Sequence, residues 1–183
     1  NSEPGGMRFP TRHEFMILTK RPERMAEFYE WMKTKRLRNA NFSNVWLGVT
    51  AENQEQANKR IPILLQIPAA KRFVSIEPCL DNVSFRWAKW AVPPADWRER
   101  GFKLNHLDGM KGISLVICGC ESGPNRRPFD LDWARSLRDN CKEAGVKFFI
   151  KQLPINGKVS HDMSEWPEDL RIQQLPEASH EKD

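Results

Sequence analysis

Residues Leu115–Gly123 read LVICGCESG. An apolar and small-residue run of this length, bounded by turn residues, is the pattern of a buried strand, and it stops at Glu121, Ser122 and Gly123. The fold depends on whether other apolar runs also end on polar tips. Upstream, EFMILTKR gives a strand at Phe15–Thr19 that ends in Lys20 and Arg21. VWLGVTAEN gives one at Val45–Val49, followed by Thr50, Glu52 and Asn53, and RFVSIEPCL gives one at Phe73–Ile76, tipped by Glu77 and Pro78. Downstream, VKFFIKQLP gives a fifth, tipped by Lys151 and Gln152.

Helical patterns fill three of the four intervals. Pro22 suits a first helical position, and Met25, Phe28, Tyr29 and Met32 follow at three- and four-residue spacing, with an end expected near Leu37. A second helix is expected from near Glu52, interrupted before Pro62, whose ring opposes a continuous turn. Asp130 reads as the cap of a third, in which Ala134, Leu137, Cys141 and Ala144 face one way and Gly145 closes the end. Strand starts recur about every 28 to 42 residues, the rhythm of parallel strands joined by crossover helices. The long interval 81–112 carries Trp87, Trp90, Trp97 and the turn VPPADW and reads as an insertion, either a lid or a loop anchored by its aromatics. The expected organisation is one α/β domain over residues 1–154, and an irregular tail over 155–183 whose charged end EASHEKD is disordered.

Parallel strands bring their carboxyl ends to one rim, where α/β proteins bind ligands. That rim collects Lys20, Arg21, Glu52, Asn53, Glu77, Glu121, Ser122, Lys151 and Gln152. Three carboxylates among lysines and an arginine suit acid–base work, a cation or a zwitterionic ligand. The bland alternative is that strand ends turn polar where they meet water. ESGPNRRP adds Arg126 and Arg127 before a helix, a candidate anion site or a plain turn.

The composition bounds these readings. In 183 residues the hydrophobic fraction is 39% and the charged fraction 29%, and no run is long enough to cross a membrane. A net charge of +5 favours anionic partners such as nucleic acid, although Lys33, Lys35, Arg36 and Arg38 cluster at a helix end, where cations also suit the dipole. Cys79, Cys118, Cys120 and Cys141 form no C-x-x-C pair, and His13, His106, His161 and His180 are scattered, so no metal site is expected. Reduced thiols point to the cytoplasm. The chain opens on Asn1, with its first methionine at Met7, so a fragment or processed product is expected.

Four blocks, HEFMILTKRPERM, NVWLGVTAENQEQANKRIPILLQIPAAKRFVSIEP, VICGCESGPNRRPFDLDWARSLRDNCKEAGVKFFIKQ and EWPEDLRIQQLP, together resemble a phage-associated family of unknown function named after gene products gp thirty-seven and gp sixty-eight. The resemblance runs from His13 to Pro176 and is weakest over the insertion. It implies a partial or complete α/β barrel of the kind used by radical S-adenosylmethionine enzymes. It also implies an upstream cysteine segment for an iron–sulfur cluster, to which the four cysteines here correspond in neither position nor spacing. The family's Gly-Gly-Glu-Ser is here Gly119-Cys120-Glu121-Ser122, and by fold analogy Glu121 receives the amino group of S-adenosylmethionine.

The expected fold is therefore a partial barrel of about five parallel strands, with an open doubly wound sheet as runner-up. Its uncovered strand edges call for the lead segment, the insertion or a partner chain. Three functions follow: a radical S-adenosylmethionine-type enzyme in the intact protein, with Glu121, Ser122, Glu77, Glu52, Asn53, Lys20 and Lys151 holding cofactor; a binding module of a mobile element that takes nucleic acid or another anion on Arg21, Arg126 and Arg127 with the rim lysines; or a remnant that binds nothing.

Overall fold

The computed structural model describes residues 13–35, 44–86, 90 and 106–177. The strands are β1 (Phe15–Thr19), β2 (Val45–Thr50), β3 (Lys71–Ile76), β4 (Leu115–Gly119), β5 (Lys147–Ile155) and β6 (Lys158–Ser160), and the helices are α1 (Pro22–Thr34), α2 (Gln54–Gln66) and α3 (Leu131–Ala144). They form a mixed α/β fold around one curled half-barrel sheet in the order β1-β2-β3-β4-β5-β6. The first five strands pair in parallel and in chain order. A doubly wound sheet needs a reversal of strand order, so the runner-up topology does not apply. The expectation of five strands is corrected to six. Asn156 and Gly157, both at positive φ, turn β5 back on itself, and β6 pairs antiparallel with Leu153–Ile155.

Alternation along the strands separates two faces. Val49, Val74, Ile76, Val116, Cys118, Phe148 and Ile150 pack against Ala57, Ile61 and Leu64 of α2 and Ala134, Leu137 and Cys141 of α3. On the other face Trp46, Phe73 and Leu115 form a second apolar cluster with Ile117 and Phe149. Gly48 lies under the Phe73 ring, where an added Cβ would fall 2.4 Å from the nearest ring carbon. At the amino end of this face the Lys71 ammonium sits 4.5 Å from the Trp46 ring centre.

The sheet's two edges differ. Phe15, Met16, Ile17 and Leu18 of β1 are each about half exposed. The far edge of β5 is covered by β6 and by a bridge between Phe149 and Gln173.

Local signals explain the helix ends. Asp130 caps α3 by accepting from the Asp132 N–H, and Gly145 ends it at φ 68°. Asn53 caps α2 by accepting from the Gln56 N–H at 3.0 Å. The expected break before Pro62 does not occur: α2 runs through it to Gln66. Ala57 and Ile61 on one side of the proline and Leu64 on the other are fully buried on the sheet, and this tertiary anchoring outweighs the lost backbone hydrogen bond. The expected end of α1 at Leu37, the insertion's Trp87 and Trp97, His180 and residues 178–183 lie outside the described residues. Within the interval 81–112, Trp90 is buried edge-on to Phe85, its Nε1 donating to Asn58 Oδ1 of α2 at 3.0 Å, so this part of the insertion is anchored on the helical layer.

Gly48→Val should overpack the Phe73 contact and lower unfolding free energy by about 1–3 kcal/mol in denaturant titration, with an unchanged native circular dichroism spectrum.

Candidate functional site at the strand carboxyl ends

The parallel arrangement delivers the tips of β1 to β5 to one rim, and short backbone bonds tie these tips together. Residue Ala51 donates to the Ser75 carbonyl at 2.8 Å, Cys79 to Gly119 at 2.9 Å and Leu80 to Glu52 at 2.9 Å. The segment after β3, entered through a cis Glu77–Pro78 bond, therefore touches the tips of both β4 and β2. Cys120 and Gln152 stitch β4 to β5, with the Cys120 N–H donating to the Gln152 carbonyl at 3.2 Å and the Gln152 side chain returning to the Cys120 carbonyl at 2.7 Å.

Three acids of the rim are held in ion pairs. Glu52 bonds to Lys20 through Oε1 and to Arg60 of α2 through Oε2 at 2.7 Å, and Arg60 also donates to the Thr50 carbonyl at 2.8 Å. Burial would raise the Glu52 carboxyl, but Lys20, the Glu52 backbone N–H and the Arg60 charge outweigh it and hold the group below the ordinary value. Glu77 bonds to Lys151 through Oε1 at 2.8 Å. Glu121 takes a forked contact from the Arg127 guanidinium, and its Oε2 also accepts from the Arg127 N–H at 2.8 Å. The side-chain and backbone bonds from Arg127 bring the Glu121 carboxyl down to about 2. In the two lysine pairs the acid is recessed and the cation faces solvent: Glu52 and Glu77 are 12% and 19% exposed, Lys20 and Lys151 57% and 53%.

The remaining expected residues also lie at the rim, and two of them, Asn53 and Arg126, hold its local structure. Asn53 is the α2 cap, and the Arg21 carbonyl accepts the first turn of α1. Arg126 donates to the Gly157 and Gly123 carbonyls, tying the loop after β4 to the turn after β5. Ser122 is exposed on that loop.

Two features escaped the sequence reading. Arg60, inside α2, reaches back to the β2 tip. In β5 the register steps from Cys118–Ile150 to Gly119–Gln152, which leaves Lys151 as a bulged residue. The signal was present in FFIKQLP: Phe148 and Ile150 share the helical face, but the next buried apolar residue is Leu153 and not position 152.

The four cysteines do not fit as ligands of an iron–sulfur cluster. All are buried, and among the described residues no group of three His, Cys, Asp or Glu is placed to hold a metal ion. A hydrogen bond with Cys79 and burial push the Cys118 thiol up, and burial pushes Cys141 up to about 12 and raises Cys120. Elsewhere, a hollow of about 590 Å³ lined by Arg138, Lys142, Val146, Phe148, Asp169 and Gln174 lies at the amino end of β5, away from the rim. In barrels that end contributes to stability.

Carbon-detected NMR should find Glu121 titrating near 2, and Arg127→Gln should return it to the ordinary carboxylate range. Because the folded value is depressed, this pair's contribution to stability is present above the unfolded value of about 4.3 and disappears as pH falls through about 2. In a thiol assay the native protein should react slowly, with all four thiols released only on denaturation.

Among proteins of curated function, and among solved structures, none matches the chain. A match is found at the level of families, and it extends over residues 6–175, nearly the whole sequence: the chain belongs to the family described as "Protein of unknown function (DUF5131)".

Proposed function

We propose that the carboxyl-end rim binds a small ligand carrying both a cationic and an anionic group, which takes the place of the internal partners in the lysine–glutamate pairs. The observation that supports this reading is the common layout of Lys20–Glu52 and Lys151–Glu77, with the carboxylate recessed and the lysine outside. A ligand ammonium or sulfonium that reaches the recessed carboxylate releases the lysine, which then meets the ligand's carboxylate. Every charge keeps a partner, so the desolvation cost of an unpaired ion is avoided.

The methionyl head of S-adenosylmethionine has this charge pattern, and the resemblance to radical-enzyme barrels makes it the first molecule to try. Glu77, Glu52, Lys20 and Lys151 suit its ammonium, sulfonium and carboxylate. The four thiols are buried and, among the described residues, no group of three ligands is placed to hold a metal ion, so the reading rests on no reaction through a cluster. A nucleic-acid surface has less support, because Lys20, Lys151 and Arg127 already carry acids and Arg126 donates to backbone carbonyls.

In thermal denaturation, L-methionine or S-adenosylmethionine should raise the melting temperature, with a gain of about 2.7 kcal/mol at one hundred times Kd. Tetramethylammonium and phosphate, which each carry one sign of charge, should not. No shift with either zwitterion at millimolar concentration contradicts the proposal, and binding to an oligonucleotide that weakens steeply with salt redirects the function to anions.

A further inference from the structure

The acids of the rim are not equally available, and this ranks them within the zwitterion reading, on which the present inference rests. Glu52 has both oxygens occupied, by Lys20 and by Arg60, and Arg60 is itself fixed to the Thr50 carbonyl. Glu121 also has both oxygens occupied, by the two arms of Arg127, with the Arg127 N–H as a third donor. Removing either acid from its partners breaks two or three charge-assisted bonds. Glu77 differs. Among the described residues its carboxylate accepts one side-chain hydrogen bond, from Lys151 to Oε1, and Oε2 takes none.

The surroundings of Glu77 favour access. Its side chain lies over Gly119, where an added Cβ would stand 3.4 Å from Glu77 Cγ and 3.4 Å from Gln152 Cγ. With a glycine there, the β4 tip presents backbone beneath the Glu77–Lys151 bridge, which runs from β3 to β5 across the intervening strand. Lys151 is the bulged residue of β5, so it is released from the ladder register that its neighbours keep with β4. One exposed lysine, joined by one bond to a recessed acid, is the pair that opens at least cost.

We infer that Glu77 takes the ligand's cationic group and that Lys151, displaced from it, takes the ligand's carboxylate, whereas Glu121 acts as the clamp that shapes the loop to Arg127. The ligand class is an α-amino acid or a molecule with an amino-acid head.

Calorimetric titration with L-methionine and with its decarboxylated analogue, 3-(methylthio)propylamine, separates the possibilities in the native chain and in Glu77→Gln, Lys151→Gln and Glu121→Gln. Glu77→Gln should weaken L-methionine by about tenfold or more, the scale of one charge-assisted bond, and Glu121→Gln by less than about threefold. The native chain should prefer L-methionine to the amine by about tenfold, and Lys151→Gln should erase that preference. Native-like melting of each variant confirms folding, and if Glu77→Gln does not fold, the lost preference in Lys151→Gln carries the test. A larger loss from Glu121→Gln than from Glu77→Gln overturns the assignment and leaves the zwitterion reading standing. So does a Lys151→Gln variant that keeps the preference. Failure of the native chain to bind either compound overturns both.

Discussion

Five strands that pair in parallel and in chain order leave the polypeptide little freedom. Each strand must be followed by a crossover long enough to return to the sheet's starting end, and crossovers of one hand put their helices on one face. Every strand then finishes at the same end. The residues just past β1, β2, β3, β4 and β5 are brought within reach of one another by topology alone, although they are spread from Lys20 to Lys151 in the sequence. The charges gathered there include three glutamates, and like charges crowded in partial burial need counter-ions. The structure supplies them internally as Lys20 and Arg60 on Glu52, Lys151 on Glu77 and Arg127 on Glu121.

The face of the sheet away from the helices grades from apolar to charged along the strand direction. At the amino end Trp46, Phe73 and Leu115 are buried together, with the Phe73 ring resting on Gly48. One step further along β2 and β3, the register partners Thr50 and Ser75 are buried hydroxyl residues. Beyond them come Glu77 and Lys151. An apolar floor fixes strand spacing, and the polar mouth above it carries the ion-paired side chains of the rim. Small-molecule sites combine the same two properties, a packed support and a few placed polar groups.

Much of this was legible in sequence. The apolar runs LVICG and VWLGV are hydrophobic on both faces, which only a covered sheet requires, and their common polar endings mark the rim. Asp130 and Gly145 bounded α3 because capping is local chemistry. Other features depend on contacts distant in sequence. Pro62 argues for a break on backbone grounds, and only the burial of Ile61 and Leu64 against the sheet shows why α2 continues. The hairpin to β6 hid in a segment without strand periodicity, since three residues are too few to alternate visibly. At the rim, residue types identified the participants but not their partners: nothing local says that Glu121 is spent on Arg127 while, among the described residues, Glu77 accepts a side-chain bond on one oxygen alone.

The proposed ligand site at one end of the sheet and the hollow at the other are distinguishable in solution. Residue-resolved amide chemical-shift mapping during titration with L-methionine tests this most directly. Binding at the rim should perturb amides concentrated at the strand tips, around Lys20, Glu77, Gly119 and Lys151. Perturbations confined to the hollow around Arg138, Lys142 and Phe148, or none at saturating ligand, would contradict it.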